Sequence, residues 1–288
     1  MTRMFLLVFT LALGFGGLQA QNSVGTPAEQ YKAIVKEFND AAHDLHLRSR
    51  SGESQDPPAA RVFELAPRLL ELAEKNPREP FAFDALVMVI TQTVWIENNT
   101  KHPGWGIDNP QKKALAMLLR DHVTSDKFGL ACWRSCYGFS QECEAFLRTA
   151  LAKSPHRDVQ AQACLRLAQF LNARANRLDL LNELPEMAKR YEGMFGKDYL
   201  DELRRTDRVV VAKEVEALYE RAANEFADGN LPYKEKVGDR AKTELFELRH
   251  LTIGKPAADI DGVDQDGQRF KLSDYRGKVV LLYFWSEY

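Results

Sequence analysis

The sequence predicts a mainly α protein: a stack of helical hairpins followed by a short, incomplete α/β segment. Three observations point there. Apolar residues recur at helical spacing from Thr26 to about Leu251. A Lys-x-Pro turn recurs after 78 residues, with apolar positions at matching offsets behind it. Beyond Ile253 the pattern changes to that of turns and strands. The 288 residues are 45% hydrophobic and 28% charged, a globular composition. At about 150 residues per domain the length suggests two domains. Thirty-nine Lys and Arg against 41 Asp and Glu leave a net charge of −2, so no basic field gathers phosphate and nucleic acid is excluded as the expected partner. Four cysteines are too few for a disulfide-built scaffold.

Residues 1–20 read as a secretory signal peptide. Arg3 supplies a positive start, Met4 to Leu13 is apolar apart from Thr10, and Leu18-Gln19-Ala20 offers a small residue at the cleavage position. The apolar stretch is short against the ~20 residues of a membrane span. An uncleaved membrane anchor is the alternative. Either way the chain is expected to be extracytoplasmic, periplasmic or secreted, where disulfides are permitted.

Residues 26–250 form the expected helical-hairpin domain. Thr26-Pro27-Ala28-Glu29 carries the signature of a helix start: Thr as N-cap, Pro at the first helical position and Glu at the third. Tyr31, Ile34, Val35 and Phe38 then share a face. Ser49 to Pro58 reads as a polar loop. Val62 to Leu72 continues as an amphipathic helix ended at Asn76-Pro77. Phe81 to Val94 is apolar on several faces and reads as a core helix. Further helices are expected near 110–123, 141–153, 157–175, 178–194, 197–228 and 238–250.

The internal echo aligns Lys75-Asn76-Pro77, with Phe81, Ala85, Leu86 and Val87, on Lys153-Ser154-Pro155, with Val159, Ala163, Cys164 and Leu165. The shift equals two units of 39, inside the range of helix-pair repeats. A TPR-like stack follows. Such stacks bury apolar faces between neighbours and leave a groove suited to a protein or peptide partner.

Cys132, Cys136, Cys143 and Cys164 all lie in this region. Cys132 and Cys136, four apart, with Cys143 and His122, are a conceivable zinc set, but the spacing follows no common metal pattern. Buried packing is the simpler reading. His43 and His46 are three apart on the first helix and read as a solvated face rather than a metal pair. No metal and no cofactor is expected. Cys143 and Cys164 flank the turn at Ser154-Pro155-His156 and are a candidate disulfide across an antiparallel hairpin, subject to the tight geometry of that bond. No phosphate loop, G-x-S-x-G or H-E-x-x-H motif occurs.

After Leu251 the period shifts. Asp259 to Val263 can start a strand, Asp264-Gln265-Asp266-Gly267 is a hairpin turn, and Gln268 to Leu272 can return. Ser273 to Gly277 is a short turn or helical loop. Val279 to Trp285 is apolar on both faces and reads as a buried central strand.

Gly254-Lys255-Pro256-Ala257, the Asp264–Gly267 turn and Leu272-Ser273-Asp274-Tyr275-Arg276-Gly277-Lys278-Val279-Val280, leading into Phe284-Trp285, resemble the opening of a redoxin domain. This is the thioredoxin-like group of alkyl hydroperoxide reductase/thiol-specific antioxidant proteins and TlpA-type extracytoplasmic thiol–disulfide reductases. The resemblance covers residues 252–288 and implies thiol–disulfide oxidoreductase or peroxidase-type activity with a thiol or disulfide partner. The family usually has Pro where Ala258 stands. Its redox Cys-x-x-Cys follows Phe-Trp after a spacer, and here Ser286-Glu287-Tyr288 fills that spacer. None of the four cysteines matches a family catalytic position. The expectation is a chain truncated before its reactive thiols and inactive as these 288 residues, with no catalytic residue to name. Its tail would otherwise pack on the helices or pair with another chain. The alternative function is a non-catalytic helical interaction module, and a metal-binding secreted protein is a third.

Overall fold

The structure, a computed structural model, describes residues 25–51, 56–99, 110–135, 141–284 and 286. The signal-peptide reading of residues 1–20 therefore lies outside the described residues. No described helix is long and apolar enough to cross a membrane.

Local chemistry sets the first helix. Thr26 Oγ1 accepts from the Glu29 amide at 3.3 Å, and Glu29 Oε2 accepts from the Thr26 amide at 2.7 Å. This reciprocal cap satisfies two otherwise orphaned donors, and α1 runs Pro27–Ser51 behind it. The polar loop expected at 49–58 is shorter than read. α2, Asp56–Lys75, takes Pro57 and Pro58 into its first turn, where a missing N–H costs nothing. α3 is Pro80–Asn99, and its residues from Phe81 to Ile90, apolar except for the exposed Asp84, are buried on nearly every side. α4 is Pro110–Asp121, α5 Phe128–Ser135 and α6 Gln141–Lys153.

Two further boundaries depart from the sequence reading. The helices read at 157–175 and 178–194 are divided later, because α7 runs without a break over Arg157–Glu183 and ends at Leu184-Pro185. α8 is then Met187–Phe195. The single helix read at 197–228 is two, α9 Lys197–Arg205 and α10 Arg208–Asn224. Asp207 separates them by capping α10: its Oδ1 accepts from the amides of Val209 and Val210 at 2.9 and 3.1 Å. α11 is Val237–His250.

Consecutive helices zigzag between two layers. α1, α3, α5, α7 and α11 neighbour one another in one layer, and α2, α4 and α6 in the other. α10 joins this second layer through Arg148–Glu214, 2.6 Å. Each crossing buries apolar side chains between the layers, and the main core runs continuously from Ile34 to Leu245. Ion pairs rung the second layer: Glu74–Lys113 between α2 and α4 and Lys112–Glu142 between α4 and α6, each 2.8 Å. These pairs are exposed, so they fix register more than they stabilise. α8 and α9 form a side hairpin on the distal part of α7 around a separate small core of Leu178, Leu181, Tyr191, Leu200 and Leu203. Arg174 ties this lobe back, pairing with Glu144 of α6 at 2.8 Å and Glu202 of α9 at 2.5 Å.

The echo has a structural meaning. Asn76-Pro77 and Ser154-Pro155 are both turns from the second layer into the first, and all eight apolar positions behind them are buried. The 39-residue unit does not hold. Leu115, one unit beyond Asn76, sits inside α4, and the intervening crossing falls at 122–127. The stack is made of helix pairs of unequal length.

Behind α11, β1 (Asp261–Val263) pairs antiparallel with β2 (Arg269–Lys271), Gly262 opposite Phe270. No described residue after Leu245 is buried. Val279–Phe284, read as a strand, has no strand pairing, and its side chains face solvent. A strand needs a neighbour to satisfy its backbone. The chain leaves β2 through a one-turn 3-10 helix and Gly277 in the left-handed region, which carries the run off the hairpin's edge.

Candidate functional site

The segment carrying the family resemblance is built from local polar bonds. Asp264 Oδ1 accepts from the amides of Asp266 and Gln268 at 2.9 and 2.8 Å, closing the hairpin turn. Gly267 supplies the positive φ of 79° there. Leu272 N–H donates to Ile260 O at 3.0 Å, extending the ladder by one bond. Asp274 caps the one-turn helix by accepting from the Lys271 amide at 2.8 Å. Asp259 reaches across to Ser273 and accepts from both its amide and its hydroxyl at 2.8 Å. Those two bonds, the hydroxyl first, hold the Asp259 carboxyl below the usual carboxylate range.

A group depressed in this way helps the folded state above its unfolded value, near 3.9, and stops helping as pH falls through its folded value. Amide exchange at Ser273, taken relative to its intrinsic rate, is therefore expected to quicken as pH falls well below about 3.9. Asp259→Ala should quicken it at neutral pH as well. Protection unchanged in the variant would show that the bridge does not hold the turn.

The thiols lie elsewhere, inside the helical stack. Cys132 is on α5, Cys143 on α6 and Cys164 on α7, and all three are buried. Cys143 and Cys164, the candidate disulfide, are not bonded to each other in this structure. The Cys164 thiol donates to Leu218 O at 3.4 Å. Burial pushes it up to about 12, with Arg221 opposing weakly and Glu225 assisting. At pH 8 its thiolate is then roughly one part in 10⁴. Native protein at pH 8 should leave Cys164 unmodified by an aromatic disulfide reagent, as read by peptide mapping, and denatured protein should label it fully. Fast labelling of Cys164 in the native state would contradict this environment.

Cys136 lies outside the described residues. Among the described residues, no three His, Cys, Asp or Glu converge as a metal site. His43 and His46 are both exposed. His122 is half-buried, with its ring edge-on to Phe83 at 5.7 Å. Burial pushes its pKa down against the pull of Asp121.

One arrangement was not legible from the motifs. Between Ala161 and Leu171, α7 is apolar apart from a strip at Gln162, Arg166 and Gln169, spaced by four and three residues. Arg166, only 5% exposed, lays its guanidinium on the Trp133 ring of α5 at 3.1 Å. It donates to Gln169 Oε1 at 2.5 Å, and Gln169 donates to Glu244 of α11 at 2.7 Å. Glu244 also accepts from the Tyr219 hydroxyl of α10 at 3.2 Å. Burial, then the Glu244 charge, pushes that phenol's pKa up. The network joins four helices through one buried cation and one carboxylate. It holds no nucleophile, and its chemistry is that of a register lock. The spacing of polar residues on an apolar helix is the signal that could have found it.

A shallow groove of about 350 Å³ between α1 and α2 is lined by Gln30, Ile34, Arg68, Glu71, Leu72 and Lys75. No protein-family model, curated protein or solved structure matches this chain.

Proposed function

We propose that residues 252–288 are the opening of a redoxin-type, thioredoxin-like domain, and that the protein belongs by lineage to the extracytoplasmic thiol–disulfide oxidoreductases. The helical stack is its accessory body, offering surface to a protein or peptide partner. The observation that carries the reading is the use made of the resembling residues. Asp264 and Gly267 turn the hairpin, Ser273 and Asp274 build the helical turn, and Gly277 releases the apolar run. Each of these five positions has a structural task in the turn it occupies.

Exchange with a disulfide requires an accessible thiolate, lowered in pKa by a helix N-terminus or a cation. Cys132, Cys143 and Cys164 are instead buried among helices, and Cys164 is pushed in the opposite direction. None of the three is assigned a catalytic role.

A graft tests the lineage. Residues 252–288 would replace the opening hairpin and first apolar strand of a secreted redoxin enzyme. The chimera is expected to fold and to retain insulin-disulfide reduction within about tenfold, a cost of ~1.4 kcal/mol in the barrier. A chimera that fails to fold, while a control graft from a second redoxin folds, would remove the reading.

The second reading is a non-catalytic interaction module. It is favoured by the two-layer stack, which confines every described thiol to its interior. Failure of the graft would leave this reading in place.

A further inference from the structure

His122 closes α4 and opens the crossing to α5. Its amide donates to Leu118 O at 2.9 Å, and its carbonyl accepts from the Ser125 amide at 2.8 Å. The ring is thereby tied to the backbone of the 122–127 crossing. Its Nε2 is sealed from solvent and meets no hydrogen-bond partner among the described residues. The ring stands at 75° to Phe83 of α3, with centroids 5.7 Å apart. Val123, the next residue, packs half-buried on the main core.

A neutral imidazole fits this place, with Nε2 bare and the proton on Nδ1. An imidazolium does not. Its second N–H would be buried with no acceptor, and its charge would be stripped of water. The surrounding charges do not offset that cost. Asp121 is the one charged group among the described residues that acts on the ring, and its carboxylate is already held by the Arg120 guanidinium at 2.7 Å. α3 presents the apolar Phe83 to the ring, while the adjacent Asp84 is exposed and acts on Tyr31 of α1. Asp126 and Lys127 of the crossing are exposed. His156, just before α7, sets its Nε2 2.8 Å from Thr124 O. As a donor it keeps that bond whether neutral or charged.

We propose that His122 is an acid-sensitive pin of the helical stack: neutral, its ring closes the α4–α5 crossing on Phe83, and on taking a proton from water at Nε2 it leaves that place and the crossing opens. The opening is local, since α4 and α5 keep their own helical bonds while Val123 and the Phe83 edge are uncovered. Burial sets the direction, holding the closed ring's pKa below the unfolded value near 6.5. The closed crossing is favoured above about pH 6.5 and loses ground as pH falls below it, until the closed ring's own value is reached. Within that window the open fraction rises by at most about tenfold per pH unit. The pin stands independently of the redoxin lineage, and the graft experiment does not bear on it.

Nuclear magnetic resonance and hydrogen exchange on the full chain test it. The His122 ring signal, assigned by its loss in His122→Gln, should titrate at lower pH than the same ring in urea-denatured protein. Protection of the Ser125 amide, taken relative to its intrinsic rate, should fall at least about threefold between roughly pH 7 and pH 5. In His122→Gln, whose side chain cannot charge, that fall should vanish. His122→Phe, which suits the apolar surroundings, replaces it if the Gln variant does not fold, and circular dichroism checks both. A ring that titrates at or above its denatured value overturns the proposal, because Phe83 would then be stabilising the imidazolium. So does Ser125 protection that stays level with pH. A fall that persists without the His122 imidazole also overturns it, and would assign the effect to His156 or another group.

Discussion

Phe146→Ala is expected to destabilise the protein by about 3–5 kcal/mol, the range for emptying a buried aromatic site. Phe146 sits on α6 with no exposed surface. Its ring stacks on Phe128 of α5 at 5.1 Å between centroids, tilted 26°. The two rings join adjacent helices at the centre of the stack, where neighbours on both layers are already packed and cannot collapse into the gap. Against a typical stability of about 5–15 kcal/mol the loss is a large fraction of the total. Urea denaturation should show the midpoint falling with the slope unchanged, because the surface exposed on unfolding stays the same. A loss below about 1 kcal/mol would mean that the α5–α6 contact relaxes freely. A change in slope would mean that the two-state assumption fails for the stack.

Gly238→Ala is expected to destabilise by about 2 kcal/mol, opposite in sign to the usual effect of that substitution in a helix. Alanine ordinarily gains up to ~1 kcal/mol over glycine in a helix interior. Here the added methyl would lie 2.7 Å from the Ala227 Cα, 2.9 Å from its Cβ and 3.0 Å from its carbonyl oxygen. Two of these three contacts are with backbone, which no rotamer change relieves. The neighbouring loop is itself pinned, since the Gly238 amide donates to Ala227 O at 3.2 Å and the Val237 amide to Gly229 O at 2.9 Å. Overpacking of this kind costs roughly 1–3 kcal/mol, which outweighs the propensity gain. A thermal denaturation scan should show a lower midpoint. A raised midpoint would show that the 225–236 loop yields to the methyl.

These two sites differ in how far sequence reasoning reached them. The α6 helix was legible from periodicity, and Phe146 lies on its apolar face. α5, which holds Phe128, was not read as a helix at all. Eight residues give little more than two turns of pattern, and its start signal is a single Ser125 hydroxyl accepting from the Lys127 amide at 3.2 Å. The division of 197–228 was present in the sequence as Asp207 before three valines, but an unbroken helical period masked it. The close approach behind Gly238 left no sequence trace, because it depends on a loop folded against the helix from outside.

The C-terminal segment reverses the balance. Its hairpin turn and its Ser-Asp helical turn were legible residue by residue, since each rests on bonds spanning two to four positions. The strand character of Val279–Trp285 was read from composition, which reports what a segment favours when a neighbour is present. The structure supplies no such neighbour among the described residues, and the run stays open.

By itself the sequence determined the capped start of α1, the mainly helical nature of the described residues between 27 and 250, the two proline turns of the echo and the hairpin after Asp259. All of these depend on interactions within one or two turns of chain. Only the tertiary structure decided the two-layer order, the burial that silences Cys164 and the Trp133–Arg166–Gln169–Glu244 lock. Each of these joins residues separated by tens of positions, and a period of 3.6 or 2 says which face a side chain is on but not what that face will meet.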